Sequence, residues 1–154
     1  MKIFLDIISN RILIISLIGW ASAQIIKTVI DLLINKKVSF ERLVGSGGMP
    51  SSHSSTVCSL ATATGLTCGF SSCEFAISAI LAIIVMYDAR GVRRETGTQA
   101  VILNQIMSFL NSEHPEQLKF TQANLKELIG HTPLQVLVGA ILGIVVGCIC
   151  CNLM

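Results

Sequence analysis

Four strongly apolar segments constrain the fold of this chain more than any other feature of its sequence. They cover residues 12–34, 53–70, 75–87 and 136–150, and polar stretches separate them. A membrane-spanning helix needs roughly 20 mostly apolar residues. Charged residues make up only 13% of the chain, against about 25% in soluble domains. The sequence therefore predicts one all-α domain over residues 1–154, an integral membrane bundle of about four transmembrane helices with short interfacial helices.

The first apolar segment resembles a signal peptide at its start, because "ASA" follows a short apolar core. Asp6 and Arg11 shorten that core and the chain beyond it stays apolar, so we interpret the segment as a retained spanning helix. Gln24, Lys27 and Asp31 lie on one face of that helix. Polar groups are costly in a bilayer, so this face is expected to point toward protein or a water-filled cavity. The alternative is that Lys27 extends to the membrane surface.

The second segment is rich in small residues, as in "CSLATATGLTCG". Small residues allow helices to pack closely in lipid, so this helix is expected inside the bundle. The helical pattern "TQAVILNQIMSFLNS" after the third segment either extends the third helix or lies along the interface. A loop, "EHPEQLKFTQ", and a short helix, "ANLKELIG", are expected before the last segment.

Basic residues set the expected topology. The two polar stretches that precede the second and fourth segments carry most of them, namely Lys36, Lys37, Arg42, Arg90, Arg93, Arg94, Lys119 and Lys126. The positive-inside rule predicts that both stretches face the cytoplasm. The expected location of the protein is the cell (plasma) membrane. His53 and His131 then lie on the same membrane face. The net charge of +2 is too small to indicate nucleic-acid binding.

The stretch "GSGGMPSSHSS" carries groups suited to an anion. Serines at a helix start cap backbone N–H groups, and the helix dipole favours a negative ligand there. His53 would lie in the first turn, where it can give a proton to a leaving oxygen. On its own, the stretch also fits a glycine hinge followed by a capped helix.

His131 is the second candidate for chemistry. A neutral histidine can attack phosphorus and form a phosphohistidine that water hydrolyses. Cations must then hold the phosphoryl oxygens, and this face offers a set of them: Arg90, Arg93, Arg94, Arg42 and Lys36. The three arginines after the third segment also fit an ordinary cytoplasmic flank. Four of the six cysteines fall inside apolar runs, where cysteine usually serves as a small hydrophobic residue, which argues against structural zinc.

Taken in order, "GGMPSSHSS", "IVMYDARGVRRETGTQA" and "GHTPLQVLVGAILGIVVG" resemble the divergent branch of the type 2 phosphatidic acid phosphatase and vanadium haloperoxidase superfamily. The resemblance runs from "AQIIK" to the last helix. It implies a metal-independent, acid-phosphatase-like hydrolase of phosphate monoesters without a cofactor. The implied substrate is a lipid or polyprenyl phosphate. The implied intermediate is a phosphohistidine.

The resemblance also implies roles for individual residues. His131 would be the nucleophile and His53 the general acid, with Ser51 and Ser52 binding phosphate beside the arginines and Lys27. Two positions depart from the superfamily's third motif: Gln135 stands for its aspartate and Leu125 for its arginine. In serine proteases, a comparable loss of the carboxylate costs about ten-thousand-fold in rate. Asp88 or Glu127 would have to supply the carboxylate, and Asp88 is preferred because the third segment ends on the histidine face.

Three hypotheses follow from the sequence. The first is a membrane phosphatase or phosphotransferase with this residue set. The second, favoured by Gln135 and Leu125, is a non-catalytic protein that binds a phosphorylated lipid or anion as a carrier or regulatory subunit. The third is a small structural membrane protein whose polar loops set topology. Because the superfamily has six core helices, interfacial helices or a second copy of the chain in a homodimer would complete the site. His114 lies in the loop-like stretch and is expected to have no chemical role.

Overall fold

The computed structural model describes residues 1–35, 48–113 and 132–154, with the backbone alone at residues 34, 35, 92–94 and 110–113. Within these ranges every regular element is a helix, which confirms the all-α prediction. The helices are α1 (Lys2–Ile8), α2 (Arg11–Asn35), α3 (Ser52–Cys68), α4 (Cys73–Arg90), α5 (Val92–Glu113) and α6 (Pro133–Leu153). The predicted loop and short helix before α6 lie outside the described residues.

Three stretches are long and apolar enough to cross a membrane: Arg11–Leu33, Cys73–Phe109 and Pro133–Leu153. They correspond to the first, third and fourth apolar segments of the sequence. The second segment forms α3, which has 17 residues and is therefore about 25 Å long. The prediction of a membrane bundle is confirmed. Among the described helices of that bundle, α3 corresponds to an apolar segment but is not one of the three stretches long enough to cross the membrane.

Helix α3 lies at the centre, packed against α2, α4 and α6. Its small and polar side chains are buried, including Ser51 at its N-cap and Ser54, Ser55 and Ser59 within it. The hydroxyl of Ser55 donates a hydrogen bond to the carbonyl of Gly19 on α2, at 2.7 Å. This agrees with the prediction that the helix of small residues belongs inside the bundle.

The contacts of α3 fix the direction of its neighbours. Toward α4, Cys58 touches Met86 through a sulfur–sulfur distance of 3.7 Å, and Gly65 lies near Phe75 at the other end of the pair. These two contacts show that α4 runs antiparallel to α3.

Helix α2 is also antiparallel to α3, because Gly19 lies at Ser55 and Ser59 whereas Lys27 lies at Gly48, before α3 begins. Helix α6 is parallel to α3, because Gly139 lies at Ser51 and Gly147 at Thr62. The ends of α2 and α4 and the starts of α3 and α6 therefore meet at one end of the bundle, which we call the His53 end.

Close approach between α6 and α3 depends on three buried glycines, Gly139, Gly143 and Gly147. A Cβ atom at Gly143 would overlap the Ser55 carbonyl oxygen and lie 2.9 Å from Cβ of Cys58. Small residues at four-residue spacing allow two membrane helices to bring their backbones together. The opposite face of α6 carries exposed apolar residues such as Leu137 and Ile144, as expected for a surface in contact with lipid.

Helix α5 begins two residues after α4 ends, and helical hydrogen bonding continues across Gly91. The amide of Gly91 donates to the carbonyl of Tyr87 at 2.8 Å, and the amide of Glu95 donates to the carbonyl of Gly91 at 3.0 Å. Of the two sequence alternatives for this stretch, the backbone favours an extension of the third helix.

Candidate functional site

The buried start of α3 is the centre of the candidate site. Ser51 is the N-cap, and its side-chain oxygen accepts hydrogen bonds from the amide of Ser54 at 3.4 Å and from the hydroxyl of Ser54 at 3.1 Å. Ser51 is 0% exposed, and Ser52 is buried beside it. Both predicted phosphate ligands thus lie at a capped helix N-terminus, where the helix dipole favours an anion.

This helix start is recessed within the bundle. Gly139, which packs on Ser51, lies six residues after the first residue of α6, and Lys27 lies eight residues before the last residue of α2. At 1.5 Å per residue, α2 extends about 12 Å beyond Lys27, and the first turn of α6 lies beside the start of α3, because the carbonyl of Gln135 reaches the Ser51 amide. A ligand at the start of α3 would therefore be surrounded by helix on two sides.

Lys27 points into the bundle, and only 2% of it is exposed. The sequence alternative, in which this lysine extends to the membrane surface, is therefore wrong. Its aliphatic stem runs beside Gly48, so a Cβ atom there would lie 3.2 Å from Cγ and 3.3 Å from Cδ of Lys27. Gly48 also has a φ of +95°, a conformation that glycine adopts without steric cost. The loop before α3 is thus shaped around the lysine.

His53 lies in the first turn of α3, as the sequence predicted. The residue is half-buried, and its Nδ1 atom is buried completely. It lies two residues after the N-cap, so the imidazole shares the His53 end with Ser51 and Ser52.

The start of α6 is joined directly to the start of α3. The backbone amide of Ser51 donates a hydrogen bond to the backbone carbonyl of Gln135 at 3.0 Å. Thr132 caps α6, and its position in the chain follows His131 immediately. His131 itself lies outside the described residues. The helix that follows it begins at the His53 end and contacts Ser51.

The side chain of Gln135 completes a capping box. Its Oε1 accepts a hydrogen bond from the backbone amide of Thr132 at 3.1 Å, and the backbone amide of Gln135 donates to Oγ1 of Thr132 at 3.3 Å. Glutamine and glutamate serve this purpose equally at the third position of a helix. The residue that stands where the superfamily motif has aspartate therefore stabilises the start of its own helix.

The other predicted site residues have different positions. Asp88 is half-buried in the last turn of α4, at the His53 end, and Arg90 at the end of the same helix is exposed. Arg93 and Arg94 lie in the first turn of α5, and their side chains are not described. Lys36, Arg42, His114, Glu127 and His131 lie outside the described residues.

The described part of the chain therefore brings together Lys27, Ser51, Ser52 and His53 and places Asp88 at the same end. Sequence reasoning missed the carbonyl of Gln135 and the contact of Gly139 with Ser51. The capping box was visible in the sequence, because Thr132 and Gln135 have its T-x-x-Q spacing. The Ser51–Gln135 hydrogen bond had no sequence signal, since it joins backbone atoms that are far apart in the chain.

Comparison with known proteins adds two findings. The family model described as "Divergent PAP2 family" matches residues 8–146. The "Uncharacterized membrane protein YuiD" of Bacillus subtilis (strain 168) is 39% identical over 147 residues, which cover 91% of this chain and 93% of that protein. No solved structure matches the chain.

Proposed function

This chain belongs to the divergent PAP2 family, and we propose that it is a membrane-embedded phosphatase or phosphotransferase that acts on a lipid or polyprenyl phosphate. One observation carries the proposal. The capped, buried start of α3, with Ser51, Ser52 and His53, lies beside buried Lys27 and is hydrogen-bonded to the first turn of the helix that follows His131.

The proposed reaction has two steps. A ring nitrogen of His131 attacks the phosphorus of a phosphate monoester, and the P–N bond forms as the P–O bond to the lipid alcohol breaks. His53 gives its proton to the departing oxygen. Water then attacks the phosphohistidine with His53 as the base, and inorganic phosphate leaves. In a phosphotransferase, a second alcohol takes the place of this water.

Positive charge would stabilise the phosphoryl oxygens in both steps. Lys27 lies beside Gly48 in the segment before α3, and we assign further contacts to Arg90, Arg93, Arg94, Arg42 and Lys36. Asp88 would hold His131 through its other ring nitrogen and stabilise the positive imidazole. In this proposal the active face is cytoplasmic, because the basic stretches adjoin the His53 end. We assign the protein to the plasma membrane.

Phosphate release from phosphatidic acid and from a polyprenyl phosphate tests the proposal, with purified protein in detergent micelles. We expect His131→Ala to lower the rate by about a thousandfold or more, as for loss of a nucleophile elsewhere, and His53→Ala to lower it strongly. His114→Ala is the matched control and should keep the rate of the unmodified protein. Equal rates for the unmodified protein and His131→Ala would exclude this mechanism.

A second candidate function is non-catalytic binding of a phosphorylated lipid or anion. Gln135 favours it, because this residue carries no charge and its Oε1 bonds to the amide of Thr132. This function predicts that vanadate or a lipid phosphate raises the Tm without any phosphate release. Combined replacement of Arg90 and Arg93 by glutamine should remove that rise. An unchanged rise would contradict the binding function.

A further inference from the structure

At the His53 end, the junction between α3 and α6 combines a hydrogen bond with a glycine contact. There the amide of Ser51 donates to the carbonyl of Gln135 at 3.0 Å, and Gly139 packs on the backbone of the same serine one helical turn further along α6. A Cβ atom at Gly139 would lie 3.1 Å from both N and Cβ of Ser51 and would overlap its carbonyl oxygen. The hydrogen bond and the glycine contact therefore share one residue of α3.

The obstacle at Gly139 cannot move aside easily. The carbonyl oxygen of Ser51 accepts the first hydrogen bond within α3, from the amide of Ser55 at 3.1 Å, and it points where that bond requires. Any side chain at position 139 would have to push the start of α6 away from α3. The carbonyl of Gln135, four residues earlier on α6, would then move away from the amide of Ser51.

Gly147, at the other end of the same helix pair, offers a matched comparison. A Cβ atom there would lie 2.7 Å from Cβ and 2.9 Å from Cγ2 of Thr62, so the nearest obstacle is a half-buried side chain. An alanine at Gly147 disturbs the packing of the same two helices. It lies two helical turns further from the His53 end than Gly139 does.

We propose that Gly139 is a positioning residue. By holding the start of α6 in contact with Ser51, it fixes the position of Thr132, the N-cap of α6, relative to His53 on α3. This inference rests on the proposed function for its catalytic consequence, whereas its structural part concerns only the Ser51–Gln135 hydrogen bond. Gly139 contacts no reacting group in this assignment and acts through the helix that it positions.

The experiment compares Gly139→Ala with Gly147→Ala in detergent micelles and records the exchange rate of the Ser51 amide, the Tm and the kinetics of phosphate release. In Gly139→Ala we expect the Ser51 amide to exchange at least about tenfold faster, because its hydrogen bond has opened locally. We expect kcat to fall by about 100-fold with little change in KM, as for a misplacement near 1 Å. Gly147→Ala should lower the Tm while leaving the Ser51 amide and kcat close to those of the unmodified protein.

The outcomes separate this inference from the proposed function. If the unmodified protein releases phosphate and Gly139→Ala keeps its kcat, or if Gly147→Ala loses as much kcat as Gly139→Ala, the positioning role is wrong and the phosphatase proposal stands. If the unmodified protein releases no phosphate, the phosphatase proposal fails. The positioning role is then judged on whether Gly139→Ala reduces the vanadate-dependent rise in Tm more than Gly147→Ala does.

One measurement does not depend on whether a variant folds. In the unmodified protein, the Ser51 amide should be protected from exchange to nearly the same extent as the amide of Ser55 within α3. Exchange at the rate of an unprotected amide would overturn the inference, because the start of α6 would then not be held at Ser51.

Discussion

Lys27 combines two properties that oppose each other at the scale of one residue. It stands in a helix apolar enough to span a membrane, and its side chain is buried. Removing an ammonium group from water costs several kcal/mol unless other groups compensate. A methionine of similar length would fill the same space without this desolvation cost. We therefore expect the ammonium group of Lys27 to bind a ligand.

Replacing Lys27 by methionine tests this expectation. We predict that the rise in Tm caused by vanadate is smaller in Lys27→Met, because a buried cation beside Gly48, in the segment before α3, is lost. Lys2→Met, an exposed position in α1, serves as the control. An unchanged vanadate effect in Lys27→Met would show that the lysine does not bind the anion.

The cap of α6 gives a second prediction at this scale. Thr132→Ala should lower the free energy of unfolding by about 1 kcal/mol, since the amide of Gln135 loses its acceptor. Thr132→Ser keeps the hydroxyl and should lie within a few tenths of a kcal/mol of the unmodified protein. Denaturant unfolding in detergent measures both values. A serine variant as unstable as the alanine variant would show that the cap does not contribute.

Individual residues show where sequence reasoning succeeded and where it stopped. The start of α3 was predicted from Ser51 and Ser52, because capping is a local property of neighbouring residues. Gln135 was compared only with the aspartate of a motif, and its local capping partner Thr132 was overlooked. The contact of Lys27 with Gly48 could not be predicted, because it depends on how α2 and α3 pack.

At the scale of elements, α3 differs from the helices around it. It is shorter and less apolar, and it buries hydroxyl groups where its neighbours expose large apolar side chains. Several of these hydroxyls bond to carbonyls of their own helix, as Thr56 does to Ser52 at 2.7 Å and Thr64 to Leu60 at 2.8 Å. Burial of α3 was predictable from its small residues. Its contact with the glycines of α6 was not, because "GAILGIVVG" carries no information about which helix its glycines face.

The contact between α2 and α3 allows close packing and hydrogen bonding to be compared. A Cβ atom at Gly19 would overlap Oγ of Ser59 and lie 2.9 Å from its Cβ atom. We predict that Gly19→Leu lowers stability by about 1–3 kcal/mol or more, because overpacking forces the helices apart. Ser55→Ala removes the hydrogen bond to Gly19 and should cost only about 0.6 kcal/mol, the average for bonds between membrane helices.

Leu17→Phe is the control for added volume, because Leu17 is exposed on the same helix. The Tm of Leu17→Phe should equal that of the unmodified protein. Thermal unfolding of the three variants in one detergent gives the order of stability. If Ser55→Ala were less stable than Gly19→Leu, hydrogen bonding and not close packing would dominate this contact.

At the scale of the whole molecule, both the family and the membrane bundle were predicted from the sequence and are confirmed. The order of the motifs predicted the family, and the apolar segments predicted the membrane bundle. The sequence also predicted that α3 and α6 start at the same end, by counting spans. The side of the membrane on which this end lies rests on the distribution of basic residues.

Cysteine labelling in intact cells tests that topology. Cys73, at the end of the bundle opposite to His53, is exposed. In a variant whose Cys73 is the one remaining cysteine, we predict labelling by a membrane-impermeant maleimide added outside. A cysteine-free variant with Lys37→Cys should be labelled only after the cells are made permeable. The reverse pattern would place the basic stretches outside the cell.

The central position of α3 has a consequence for how the protein is made. Helix α3 leaves the ribosome before α6, yet its start is hydrogen-bonded to α6 and its small residues pack against the glycines there. Until Pro133–Leu153 has been synthesised and inserted, α3 has no partner for that face. Assembly at the His53 end therefore waits for α6, and a chain that stops before α6 leaves a polar helix face uncovered in the lipid.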